Sequence, residues 1–222
     1  MNIMKKVSRG QEGFTLLEII VVLAVIGSLS AMLAPVVFRY IDDAKRAQAQ
    51  GDVSLVAASI NQMYKDTGRY PFYKSGVGAL KHTAADDATE LTSNSVCAAG
   101  ACTDATKPAI GTDTGWTLTT KMDSFANQLI SNTPFGTGTA YTLTGSRAWK
   151  GPYSDRIPNL DPWGRSYVVN IINADPTTEG FATQKWVIVA SAGPNGILDS
   201  VATTLGSANP QVGGDDVIAR VK

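Results

Sequence analysis

The sequence predicts an α+β protein. One long N-terminal α-helix, transmembrane in its first half and amphipathic in its second, packs on a small C-terminal antiparallel β-sheet. Three observations predict this. Residues 19–37 carry no charge. Val53, Val56, Ile60 and Met63 recur at spacings of three and four, which places an apolar stripe along a helix. Ser166–Ile172 and Lys185–Ala190 are rich in β-branched and aromatic residues, with Pro162/Gly164, Asp175/Pro176 and Gly193/Pro194 around them, the pattern of strands between turns.

The N-terminal element divides by charge. Lys5, Lys6 and Arg9 precede the apolar run, opposed only by Glu12, and the run from Phe14 to Phe38 is apolar apart from Glu18. As a helix, residues 14–38 would span roughly 37 Å, against about 30 Å of bilayer hydrocarbon. With the basic residues in front and Asp42 and Asp43 behind, the N-terminus is expected in the cytoplasm and the rest of the chain outside it. A removable secretory signal is the rival reading; its best cleavage site, Ser28-x-Ser30, is poor. The helical pattern also runs on past that site without a turn cluster until Gly68 and Pro71. One helix of about 54 residues, Phe14 to Thr67, on the order of 80 Å long, is expected.

After the helix the composition changes. Residues 72–150 are rich in Thr, Ser, Gly and Ala and hold the only cysteines, Cys97 and Cys102. A cysteine pair this close, on the outer side of a membrane, suggests a disulfide-closed loop; free thiols, or half of a metal site that lacks other ligands, are the alternatives. Met122, Phe125 and Leu129 predict a short helix within 119–132, capped by Thr119 or Thr120. This stretch is expected to face solvent, with His82 a plain exposed histidine. Asp161-Pro162-Trp163-Gly164 reads as a turn with its tryptophan packed inward, and Val217–Val221 as a third short strand. The expected organisation is a leader at 1–13, a transmembrane helix at 14–38, an amphipathic helix at 39–71, an inserted region at 72–150 and the sheet at 151–222.

Of 222 residues 44% are hydrophobic and 17% charged, with zero net charge, so nothing favours nucleic acid as a partner. There is no P-loop, no Gly-x-Gly-x-x-Gly and no His-Glu-x-x-His, and His82 is the single histidine. No nucleophile–base or zinc constellation is present to suggest an enzyme. One cluster does offer chemistry. Asn195, Asp199, Asp215 and Asp216 stand among glycine-rich turns and supply hard oxygen donors of the kind Ca²⁺ takes in sixes to eights. Solvated turn aspartates are the plainer reading.

Gly13-Phe14-Thr15-Leu16-Leu17-Glu18, behind a basic leader and before the apolar run, resembles the processing site of type IV pilins and pseudopilins. The resemblance implies that a prepilin peptidase cuts between Gly13 and Phe14 and methylates the new Phe14 amine. Glu18 then becomes the fifth residue of the mature chain, and Pro35 falls where the family kinks its helix. It further implies that Glu18 pairs with the Phe14 amine of a neighbouring subunit in a homopolymer. A lone carboxylate in lipid costs roughly 2.5–3.5 kcal/mol, so such a partner is expected.

Four further segments, residues 63–71, 151–170, 187–200 and 213–221, resemble the major pseudopilin of type II secretion (the GspG family). That resemblance implies a type IV pilin-like fold and a pseudopilus assembled in the periplasm from inner-membrane subunits. It also implies partners in minor pseudopilins, the inner-membrane assembly platform and membrane lipid. The alternative is the major pilin of a surface fibre for adhesion, twitching or DNA uptake. The family holds Ca²⁺ in the acidic loop, which maps onto the Ala192 carbonyl, Asn195, Asp215 and Asp216. Asn195 stands where the family usually has aspartate, and Asp199 is the expected replacement for the missing charge. Residues 200–212 read as an insertion.

Overall fold

The computed structural model describes residues 13–71, 90–98, 101–112, 114–116, 118, 122–136, 141–171, 187–201 and 212–221. The basic leader, His82, Thr119, Thr120 and most of 200–212 lie outside them. The chain divides into two compact units, Met1–Ala44 and Lys45–Lys222. Helix α1 spans Leu16–Thr67, 52 residues with Pro35 inside it. Its start is fixed by the Thr15 hydroxyl, which accepts the Glu18 amide N–H at 3.2 Å, an N-terminal cap that satisfies one of the helix's free amides. Pro35 has no N–H to give to the Ala31 carbonyl, a local weak point in the helix. Its last turn closes where the Gly68 amide donates to the Tyr64 carbonyl at 2.7 Å.

In the first unit every described residue is exposed, and the helix there is long and apolar enough to cross a membrane. In the second unit the helix becomes one-sided. Ala49, Val53, Val56, Ala57, Ile60 and Met63 are buried, the stripe that the three-and-four spacing predicts.

That stripe packs on a five-stranded sheet. Its strands are β1 (Glu90–Thr92), β5 (Met122–Ser124), β6 (Val168–Asn170), β7 (Val187–Ser191) and β9 (Val217–Val221), in the order β5-β1-β6-β7-β9. β6–β7 and β7–β9 are antiparallel, as expected, but β1–β5 is parallel, so the sheet is mixed. Alternate residues along β6 and β7 separate into two layers, as period-two geometry requires. Val169, Val187 and Val189 join the helix-side core with Leu91, Phe125 and Tyr167. Val168, Ile188 and Ala190 join a second core on the other face, filled by Trp116, Leu118, Met122 and Leu198.

The expectation that 72–150 faces solvent is therefore corrected. This region supplies two strands to the sheet and the side chains that cover its second face. The short helix is corrected too: α2 is Phe125–Leu129, capped by Ser124, whose hydroxyl accepts the Ala126 amide. Met122 is not in it, because pairing with β1 claims the backbone of 122–124. The remaining elements are a hairpin of β2 (Val96–Ala98) and β3 (Ala101–Thr103), and a parallel pair of β4 (Ala109–Ile110) with β8 (Ile197–Leu198). Tyr167 ties sheet to helix: its hydroxyl donates to Asp52 Oδ2 at 2.7 Å. Burial and then this carboxylate push the Tyr167 phenol far above its ordinary value, so it stays a donor.

Candidate functional site

Three places gather the residues singled out by the sequence. At the N-terminus, Gly13 and Phe14 precede α1 and are exposed. A Cβ placed on Gly13 would meet nothing within 4 Å. The fold therefore does not need glycine there. Glu18 stands at the third helical position, where the positive end of the helix dipole favours a carboxylate. Thr15-x-x-Glu18 is also a capping-box pattern, a signal legible in the sequence that the apolar context overshadows.

In the second unit, Cys97 and Cys102 face each other across the β2–β3 hairpin and are bonded, with S–S at 1.98 Å. Their sulfurs lie 3.4 and 3.7 Å from Asp123 Oδ1. These are contacts and not hydrogen bonds, since a disulfide sulfur has no proton to give. Among the described residues this is the one group of three Cys, His, Asp or Glu donors within 4.8 Å of one another, and with both sulfurs in a disulfide it is no thiolate metal site. Asp123 is instead a structural hub. It is fully buried and accepts from the Ser124 and Phe135 amides and from Asn127 and Gln128 side chains. Burial pushes its carboxyl above the usual range, against the pull of those donors.

The acidic loop is built by the turn after β7 and the turn before β9. Gly193 makes the approach possible. It adopts φ +62°, and a Cβ there would sit 2.3 Å from the Asp215 carbonyl oxygen. Asp215 Oδ2 accepts the Asn195 amide at 2.9 Å, and Asp199 Oδ2 accepts the Asn195 side-chain nitrogen at 2.9 Å. Asn195 thus stands between two carboxylates and presents nitrogen to both, while its own oxygen accepts the Ile197 amide at 2.7 Å. Asp216 Oδ2 accepts the Asp199 and Ser200 amides at 3.0 and 2.7 Å. Ala192 is fully buried at the end of β7.

The other oxygens matter more. Asp215 Oδ1 and Asp216 Oδ1 are buried without a hydrogen-bond partner, and Asp216 as a whole is only 9% exposed. Burial, with Asp199 close by, pushes the Asp216 carboxyl up. Carboxylate oxygens withdrawn from water are costly unless a proton or a counter-charge reaches them, and a divalent cation with a preference for hard oxygen is one such partner. The Asp161 turn braces the same loop from below. Asp161 Oδ1 accepts the Trp163 and Arg165 amides, and Oδ2 accepts the Ser191 hydroxyl at 2.7 Å. Trp163 itself is half-buried against the helix-side core.

Residues 8–34 match the family model described as the prokaryotic N-terminal methylation motif. Over 72 residues, 32% of its length, the chain is 40% identical to the type II secretion system core protein G of Pseudomonas aeruginosa, covering 51% of that protein. It is 35% identical over 72 residues to the core protein G of Dickeya chrysanthemi, covering 47%. It is also 35% identical over 75 residues to the toxin coregulated pilin of Vibrio cholerae, 34% of each chain. The chain thus spans about half the length of the secretion proteins it matches. No solved structure matches it. With its methylation motif, its uncovered apolar helix and a sheet packed on the second half of that helix, the chain is similar over about a third of its length to pseudopilins of type II secretion and to a type IV pilin.

Proposed function

We propose that the mature chain polymerises through its N-terminal helix into a periplasmic pseudopilus that drives type II protein secretion across the outer membrane. The observation that carries this is Gly13-Phe14 at the mouth of a helix whose membrane-length first part is fully exposed, in a chain similar to secretion core protein G. Prepilin peptidase removes residues 1–13 and methylates Phe14. Before assembly the helix holds the subunit in the inner membrane, with its N-terminus cytoplasmic and its second unit periplasmic. In the filament the apolar surface of residues 14–38 is buried against copies of itself, with minor pseudopilins and the inner-membrane assembly platform as further partners. The role is structural and not enzymatic.

A surface pilus is the second reading, favoured by the similarity to the toxin coregulated pilin. Deleting the gene in its host separates the two. Secretion substrates retained in the periplasm, with surface fibres intact, support the pseudopilus. Normal secretion with loss of surface fibres would establish the pilin instead.

We further propose that the acidic loop holds Ca²⁺ through Asp215 and Asp216, with Asp199 supplying the charge that Asn195 lacks and Ala192 a carbonyl. The two unpartnered carboxylate oxygens support this. Binding to the native state alone adds RT ln(1 + [L]/Kd), roughly 2.7 kcal/mol at a hundredfold excess over Kd. The full chain in detergent should therefore melt at a higher temperature in millimolar calcium than in chelator. Asp215→Ala and Asp216→Ala should each remove most of that difference, and magnesium should substitute poorly because it demands octahedral geometry and keeps its waters. Equal melting temperatures in calcium and chelator would remove the metal from the account and leave the filament reading intact.

A further inference from the structure

The acidic loop does not stand alone. Two parts of the inserted region, residues 109–111 and Trp116, are built into it. β4 runs parallel to β8, with Ala109 opposite Ile197 and Ile110 opposite Leu198. The Ala109 amide donates to the Gly196 carbonyl at 2.9 Å, and the Gly111 amide to the Leu198 carbonyl at 3.0 Å. Gly111 then passes directly under Asp199: a Cβ there would stand 2.9 Å from the Leu198 carbonyl oxygen and 3.0 Å from Asp199 Oδ1. A few residues on, Trp116 is buried in the second core beside Leu198 and Ala192. Its indole N–H donates to the Ser200 carbonyl at 2.8 Å.

Ser200 is therefore held from three sides. Its amide donates to Asp216 Oδ2, its carbonyl accepts from Trp116, and its hydroxyl accepts the Gly213 amide at 3.0 Å. The Asp216 that holds its amide is the residue whose Oδ1 is buried and unpartnered. One residue thus links the carboxylate with a buried, unpartnered oxygen to a tryptophan of the inserted region.

We propose that Gly111 and Trp116 are positioning residues of the cation loop, so that divalent-cation binding and the docking of residues 109–111 and Trp116 on residues 196–200 form one coupled equilibrium. This rests on the calcium reading. Without a cation, the negative charges of Asp199, Asp215 and Asp216 repel, and the strain falls on 197–200, the segment that β4 pairs with. With a cation, 197–200 is pinned and β4 and Trp116 are pinned with it. Coupling of this kind is reciprocal, so weakening the dock must weaken the ion.

The test uses the full chain in detergent, with calcium chloride titrated calorimetrically and amide hydrogen exchange followed by mass spectrometry. Calcium should slow exchange in 109–118 and in 197–200 together. Trp116→Phe keeps the ring in the core and removes only the N–H; by the usual worth of one hydrogen bond it should raise the calcium Kd roughly two- to tenfold. Gly111→Val, whose side chain meets the Leu198 carbonyl and Asp199, should raise it at least as much. Calcium binding by the wild type with unchanged exchange in 109–118 and wild-type affinity in Trp116→Phe would overturn the coupling and leave the metal site standing. No calcium binding by the wild type would overturn both.

Discussion

Glu18→Ala and Glu18→Val chains are expected to insert in the membrane and to be cleaved, yet to yield few or no filaments. Glu18 is the single charge between Phe14 and Phe38, and the helix around it is uncovered. Burying that helix among its copies takes the carboxylate into an apolar surrounding, at a cost of roughly 2.5–3.5 kcal/mol unless it meets a cation. On the proposed filament reading, the Phe14 amine freed by cleavage would be that cation, and the pair would set the register of each incoming subunit. Losing it should lower the stability of subunit addition by about a hundredfold for each 2.7 kcal/mol removed.

The structure supplies a rival role for Glu18, because its amide is the one capped by Thr15. Glu18→Gln separates the roles. Glutamine serves a capping box as well as glutamate does but carries no charge, so pairing predicts that Glu18→Gln assembles as badly as Glu18→Ala, whereas capping predicts rescue. Sheared-filament yield per cell, with processing checked by immunoblot, reads the outcome. Wild-type yields from the alanine and valine variants would end the pairing account.

Asp123→Ala should be among the most damaging single changes in the second unit. The carboxylate is fully buried and holds four donors: the Ser124 amide at 2.7 Å, the Asn127 side chain at 2.8 Å, the Gln128 side chain at 2.5 Å and the Phe135 amide at 3.0 Å. Phe135 sits at φ +53°, a left-handed conformation that bulky side chains avoid, and its bond to Asp123 helps to hold it there. Alanine would leave those donors buried and unsatisfied, at a cost of about 3–5 kcal/mol. Chemical denaturation of the full chain in detergent measures it.

The pH dependence has a definite sign. Burial raises the folded carboxyl above its unfolded value, so the folded state holds the proton more tightly. This group's contribution to stability is fully present below the unfolded value and is lost as pH rises through the raised folded value. Asp123→Asn removes the titration and turns an amide nitrogen toward donors, so it should be less stable than wild type. Its deficit should shrink as pH rises through the raised value. A deficit that grows over that range would show that burial is not what governs this carboxyl.

Much of the fold is legible because its signals are local. The charge-free run and the Val53–Met63 stripe yield α1 to within two residues, Phe14 expected and Leu16 observed, with Thr67 at the other end. The β-branched runs yield β6, β7 and β9. What stayed hidden is non-local. Glu90-Leu91-Thr92 and Met122-Asp123-Ser124 are three residues each and carry no strand pattern of their own. They are strands because β1 lies between β5 and β6, a pairing no short window contains. Trp116 and Leu118 likewise look like scattered apolar residues until the second face of the sheet gathers them.

The acidic loop was legible as a cluster of donors, but not in its wiring. Sequence matching makes Asn195 a ligand; in the structure it presents nitrogen to Asp199 and Asp215. It also gives no hint that Gly111 and Ser200, far apart in the chain, meet at that loop.

The central claim is that Gly13-Phe14 is a processing site and that the mature helix begins there. Intact mass of the protein extracted from membranes of its host tests it most directly. The account expects a chain that starts at Phe14 and carries one added methyl group. A chain that starts at Ala31, cut after Ser28-x-Ser30 as an ordinary secretory signal, would contradict it, as would a chain that still starts at Met1.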